Sequence, residues 1–283
     1  MSNISLTASM RSNLLSLQNT QSLMDTTQER LSTGKKVNSA IDNPSSYYTA
    51  QSLNNRASDL SSLLDSMGQA IQTIKAADEG IEAITSFAQQ AKAVAQSASD
   101  SADSAERANY MAQFNNILRQ IDGVAKDAGY KGVNLLDGGT LTVKFNEKGD
   151  SSLTITGKTA TTDGDLAIAD AADWGKKAGD EATADEIAAQ NTAINTSIKA
   201  VDDAVAKLRN WASEFGNNYS IVQSREDFTE NLINVLTEGA DKLTLADMNE
   251  ESANMLALQT RQQLAINSLS LASQAAQSVL KLF

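Results

Sequence analysis

LSSLLDSMGQAIQTIKAADEGIEAITSFAQQAKAVA (60–95) sets its apolar residues in a heptad rhythm. Leu60, Leu64, Met67, Ile71, Ile74, Ile81, Ile84, Ala88, Ala91 and Ala95 follow in steps of three, four or seven, with Asp78 in the slot that breaks the run. Such spacing marks a helix that lies along helical partners. Its start is set by Asn43 and Pro44, an N-cap residue followed by proline at the first helical position. From there to about Ser99 is roughly 55 residues, or ~80 Å at about 1.5 Å per residue. A helix of that length is seldom solitary.

The rhythm extends in both directions. Phe114, Ile117, Ile121, Val124 and Ala128 continue it in a shorter helix. A third long stretch runs from Ile187 through Ile194, Ile198, Val201, Val205 and Leu208 to Phe215. At the amino end Leu6, Met10, Leu14, Leu17, Met24 and Leu31 recur at heptad positions, with Gln21 and Gln28 filling the missing slots. At the carboxyl end Leu258, Ala265, Leu269, Ala272, Ala276, Val279 and Phe283 do the same. Residues 129–179 hold nine of the 15 glycines and form a different zone. Within it TLTVKF (140–145) and SLTIT (152–156) alternate apolar and polar residues around NEKGD, which predicts a β-hairpin with one buried face. Residues 158–186 are small, polar and acidic, and predict an exposed surface excursion with Trp174 its large anchor.

Composition removes whole classes of function. The 283 residues contain one proline, no cysteine and no histidine, and carry a formal charge of −12. Without cysteine there is no disulfide frame, thiolate nucleophile or zinc–sulfur site. Without histidine there is no Ser-His-Asp triad and no imidazole metal ligand. No pair of carboxylates sits in a recognisable apolar pocket, so neither an enzyme nor a cofactor or metal site is expected. The acid-rich Asp163, Asp165, Asp170 and Asp173 lack the ligand spacing and closing Glu of a calcium loop. The negative charge argues against nucleic acid as a partner. No apolar run reaches the ~20 residues of a membrane helix, so membrane insertion is not expected. The amino terminus lacks the basic start and continuous apolar stretch of a secretory signal.

Charge is scarce at both ends. Residues 1–34 carry Arg11, Asp25, Glu29 and Arg30; residues 252–283 carry Arg261 and Lys281. Isolated helices of this kind are marginal in water. Matching heptads at opposite ends predict that the termini pair, and that the pair is buried among copies of the chain. The bland alternative is two disordered tails. The fold class expected is therefore mainly α, a long antiparallel helical rod or coiled coil with one β-hairpin, whose two termini pair as a terminal-helix domain. Expected boundaries are 1–43 with 240–283 for the terminal domain and 44–157 with 187–239 for the rod, the hairpin at 140–156. Such a rod with a charge-poor base suits a subunit whose heterologous contacts do not close and therefore give filaments.

LSTGKKVNSAIDNPSSYYTAQSLNNR (31–56) resembles the signature with which bacterial flagellins join their terminal helix to their rod. GVNLLDG (132–138) is similar to the family's segment before its hairpin, and ADMNEESANMLALQTRQQLAINSLSLASQAAQSVLKLF (246–283) resembles the flagellin end. The resemblance spans roughly 1–140 and 187–283 and looks most like flagellins of α-proteobacterial type. It implies a short flagellin with little or no outer domain. Phe283 stands in place of a frequent last Arg. Gln89 and Lys92 stand where many enteric members carry the Arg and Glu of a patch read by a vertebrate receptor.

In function, the resemblance implies a structural subunit of the flagellar filament, exported unfolded through the flagellar channel and polymerised outside the cell for motility. Its partners would be itself, the export apparatus and a chaperone, the filament cap and the hook junction proteins. The alternative is a hook–filament junction adaptor of the same superfamily; an unrelated coiled-coil scaffold would not need charge-poor ends. The intersubunit core is expected at Leu6, Met10, Leu14, Leu17, Met24, Leu31, Leu258, Leu264, Leu269, Ala272, Val279 and Phe283. The inter-domain link is expected around Gly34, Asn38, Asp42 and Pro44, with Gly34 ending the first helix and the link acting as an adaptable joint. Some flagellins carry O-linked sugars, which makes Ser151, Ser152, Thr159, Thr161 and Thr162 candidate acceptors.

Overall fold

The computed structural model describes residues 8–175 and 183–280. In chain order these form α1 (Ala8–Thr33), α2 (Pro44–Asp100), α3 (Ser104–Asp127), β1 (Thr140–Lys144), β2 (Ser152–Thr156), α4 (Ala184–Thr244) and α5 (Met248–Leu280). They build two compact units. The terminal unit contains the chain up to Ala57 and from Asn234 onwards; the central unit is Ser58–Ile233. The division falls within α2 and α4, at 57/58 and 233/234 where the expected boundaries were 43/44 and 239/240.

Local chemistry fixes the helix ends. Asn43 Oδ1 accepts from the Ser46 N–H at 3.1 Å, and Pro44 occupies the first turn of α2, where a missing N–H costs nothing. Asp103 accepts from Ala105 N–H and caps α3. Thr183 and Glu186 exchange bonds in a capping box ahead of α4.

The central unit buries one continuous core. Met67, Ile71, Ile74, Ala77, Ile81 and Ile84 of α2 meet Phe114, Leu118 and Ile121 of α3 and Ile194, Val201, Leu208 and Phe215 of α4 in that core. Each fully buried large aliphatic contributes about 1.5–3 kcal/mol. The slot assigned to Asp78 is filled by Ala77, which is fully buried, while Asp78 is exposed. A small residue there is invisible as a heptad position yet keeps the seam unbroken. Ala88, Ala91, Ala95 and Ala98 then extend the buried stripe with methyl groups alone.

GVNLLDG (132–138) closes this core. Asn134 donates through Nδ2 to the Ala125 and Lys126 carbonyls, satisfying the last turn of α3. Leu135 and Leu136 are fully buried behind it. A Cβ at Gly80 would stand 2.6 Å from Leu136 Cδ1 and 2.8 Å from Ala128 Cβ, so α2 passes there only as glycine. The hairpin is antiparallel in the expected place, with Leu141 opposite Ile155 and Val143 opposite Leu153; Val143 and Ile155 are its buried face.

Residues 158–175 are not the exposed excursion that their composition suggested. Ala160, Leu166, Ile168 and Trp174 are buried in the central core, with Trp174 packed on Phe114 at 4.8 Å between ring centroids. Asp122 of α3 takes bonds from the Thr162 N–H at 2.7 Å and from the Thr162 hydroxyl. Asn115 exchanges two bonds with the Ala171 backbone, and Lys207 Nζ donates to the Asp165 carbonyl. The segment is a strap tied down by side chains of both flanking helices. Of the rest of the expected excursion, 176–182 lies outside the described residues, and 183–186 are the capping box and first turn of α4.

Candidate assembly interface

α1 and α5 pair along their length within the terminal unit. Heptads set the pairing, but α1 uses a different frame from the one its leucines suggest. Its inward positions are Met10, Asn13, Leu17, Thr20, Met24, Thr27 and Leu31, all half-buried or buried. Thr20 and Thr27 occupy the slots given to Gln21 and Gln28, and Asn13 the slot given to Leu14. Thr20 is tolerated because its hydroxyl donates to the Ser16 carbonyl one turn back, leaving its methyl for the seam. On α5 the inward positions are Glu251, Met255, Leu258, Gln262, Ala265, Leu269 and Ala272.

Polar groups fix the register of this pair. Arg30 Nη1 donates to Glu251 Oε1 at 2.9 Å, and the Glu251 side chain is only 9% exposed. Gln262 Nε2 donates to Gln21 Oε1 at 2.8 Å, and Gln21 donates in turn to Asp25. Polar residues in a helical seam specify alignment at a cost in stability.

The frame turns large apolar groups outward. Leu14, Leu15 and Leu23 of α1 are exposed, as are Leu256, Leu264, Ile266 and Leu271 of α5. Leu256, Leu264 and Leu271 are 67%, 64% and 67% exposed. At about 3.6 residues per turn they share one face, turned away from the seam with α1. Leu15 stands likewise on the outer side of α1. A helix with apolar groups all round is a helix meant to be buried. Of the positions expected to form an intersubunit core, Leu14 and Leu264 are exposed. Met10, Leu17, Met24, Leu31, Leu258, Leu269 and Ala272 are half-buried on the α1–α5 seam. Leu6, Phe283 and the side chain of Val279 lie outside the described residues. Leu15, Leu256 and Leu271 are exposed as well and were not among the expected positions; their signal was an apolar residue off the heptad in a charge-poor helix.

The link is tied to the turn between α4 and α5. Gly34 ends α1 at φ +71°, its N–H donating to the Arg30 carbonyl. Lys36 and Val37 N–H groups donate to the Thr244 carbonyl, and Ala246 N–H donates back to Gly34. Lys36 Nζ reaches the Lys242 carbonyl at 2.9 Å. A joint at this place has to carry the α4–α5 turn with it. Beyond it Asp42 Oδ2 accepts from the N–H groups of Asn38 and Ser39 and from the Ser39 hydroxyl. The Ser39 and then the Asn38 backbone bond hold the Asp42 carboxyl below its ordinary range. Asn38 also donates to Glu29 at 3.1 Å, so the link closes back on α1. Pro44 then starts α2.

The candidate sugar acceptors divide. Ser152 is exposed and Ser151, Thr159 and Thr161 are half-buried. Thr162 is buried with its hydroxyl committed to Asp122, which removes it as an acceptor in the folded chain. Gln89 is exposed, while Lys92 is paired with Asp202 at 2.6 Å.

Two family models match the chain. The bacterial flagellin N-terminal helical region matches residues 4–140, and the bacterial flagellin C-terminal helical region matches residues 198–283. Among similar proteins are Flagellin FljM of Caulobacter vibrioides and a flagellin of Brucella melitensis, each 30% identical with 95% of both chains covered. Flagellin C of Rhizobium meliloti is 26% identical over 92% of each chain.

Proposed function

The chain belongs to the bacterial flagellin family and is a structural subunit of the flagellar filament, and we propose that its copies assemble through the outer faces of α1 and α5. The observation that carries this is the row of exposed leucines on two charge-poor helices. Among the described residues of the terminal unit, none covers Leu256, Leu264 or Leu271. Covering each in a polymer contributes up to about 1.5–3 kcal/mol, and many copies repeat the gain. Heterologous contacts of this kind extend without closing.

Export as an unfolded chain fits the same helices. A segment with a polar seam and few charges folds weakly alone, and a chain without cysteine cannot be locked by disulfides on its way out. The proposed place of work is outside the cell, reached through the flagellar channel with the help of a chaperone and completed at the filament cap. Exposed Ser152 with its neighbours Ser151, Thr159 and Thr161 forms the proposed acceptor set for O-linked sugar.

Seeded growth of the purified chain, followed by circular dichroism and electron microscopy, tests the reading. Long filaments of uniform diameter, appearing together with a gain in helix, are expected. A chain that adds one layer to a seed and stops is a junction adaptor instead.

A further inference from the structure

Outside the terminal unit, large apolar side chains of the described residues are buried or half-buried with two exceptions, Ile221 and Phe228. They stand one heptad apart on one face of α4. With Ser220, Ser224 and Arg225 they line a shallow cavity of about 460 Å³. Arg225 is held at its edge, with its guanidinium carbon 5.2 Å from the centre of the Phe145 ring. The patch is apolar with one fixed cation beside it.

The link of the terminal unit carries the complementary feature. Ile41 is 92% exposed, the most of any large apolar residue described. It does not sit on a loose loop. Its N–H donates to Ser39 Oγ, Asp42 N–H donates to the Ser39 carbonyl, and Asp42 Oδ2 gathers the three bonds that shape the turn. None of those bonds uses Asp42 Oδ1. A branched aliphatic group is thus held out on a fixed turn with a carboxylate oxygen next to it, and little ordering remains to be done on binding.

We propose that Ile41 of one copy inserts between Ile221 and Phe228 of a second copy, with Asp42 facing Arg225. The occupant is a second copy because the two surfaces match in both terms, aliphatic knob to apolar cleft and carboxylate to guanidinium. The knob and the cleft are different surfaces of the chain, so the contact is heterologous and propagates, as a polymer requires. The inference rests on the filament-subunit reading above.

The absence of cysteine makes the test clean. Full-length chain carrying both Ile41→Cys and Ser224→Cys is assembled on seeds and exposed to a mild oxidant. A ladder of covalent oligomers on a non-reducing gel is expected from filaments, none from unassembled chain, and none from either single variant. Filaments without a ladder overturn the contact and leave the filament reading standing; wild-type chain that never grows from seeds defeats both.

A second measurement decides the matter if the paired variant does not assemble. Ile41→Ser and Phe228→Ala should each raise the critical concentration about tenfold or more. Circular dichroism of the unassembled chain should not change. The double variant should be no worse than the worse single one, because the two residues share one contact. Fully additive effects, or no effect of either, contradict the proposal.

Discussion

Asp42 and Gly34 hold the link, and each makes a prediction at a single residue. The Asp42 carboxyl lies below its ordinary value of 3.8 because Ser39 and Asn38 N–H groups donate to its charged form. Its contribution to the turn is therefore complete above that pH and is lost as pH falls through the lower folded value. Amide exchange at Asn38 and Ser39 should accelerate, relative to Asp42→Ala, only in that acid window. Gly34 sits at φ +71°, where an added Cβ meets no neighbour but strains the backbone. Gly34→Ala should cost about 1 kcal/mol, read as about fivefold faster exchange at Lys36 and Val37. Asp122 supports the strap through Thr162, and Asp122→Ala should destabilise the central unit by about 1–3 kcal/mol and redden the fluorescence of buried Trp174. The roles of Gly34 and of Asn43 with Pro44 were legible in the sequence, because helix-end chemistry is local. The partner of Asp122 was not, because Thr162 lies 40 residues away with no periodicity to connect them.

Among the elements, the long helices and the hairpin were legible because each buries one face at a regular period. The α1 frame was legible at Met10, Leu17, Met24 and Leu31 but not in its alternate slots. Leucine outweighs threonine in any reading of hydrophobic pattern, so Leu14 was placed in the seam where Asn13, Thr20 and Thr27 mark the true line. Thr20 fits because its hydroxyl donates to the Ser16 carbonyl and leaves its methyl for the seam. The strap 157–175 was missed for another reason. Leu166, Ile168, Ala171 and Trp174 follow neither a period of two nor one of 3.6, and the acidic residues between them look like solvent-facing sequence. Thr20→Leu with Thr27→Leu should strengthen the α1–α5 pair in unassembled chain, seen as more helix by circular dichroism. It should slow seeded growth, because filling the seam moves the outward leucines. Unchanged helix content would mean that the two positions do not face α5.

For the whole molecule, the decisive feature is apolar surface left over after the chain has folded. The family assignment was legible from one motif toward each end and a third before the hairpin, and the pairing of the termini from their matched heptads. The exposed apolar surface was only partly so, since exposure depends on which frame the seam adopts. Leu256, Leu264 and Leu271 share the face of α5 turned from α1 and are the centre of the proposed assembly surface. The most direct test replaces all three with serine and measures seeded elongation by electron microscopy, with circular dichroism of the unassembled chain beside it. Unchanged helix content and no filament growth are expected. Growth at the wild-type rate would contradict assembly through this face.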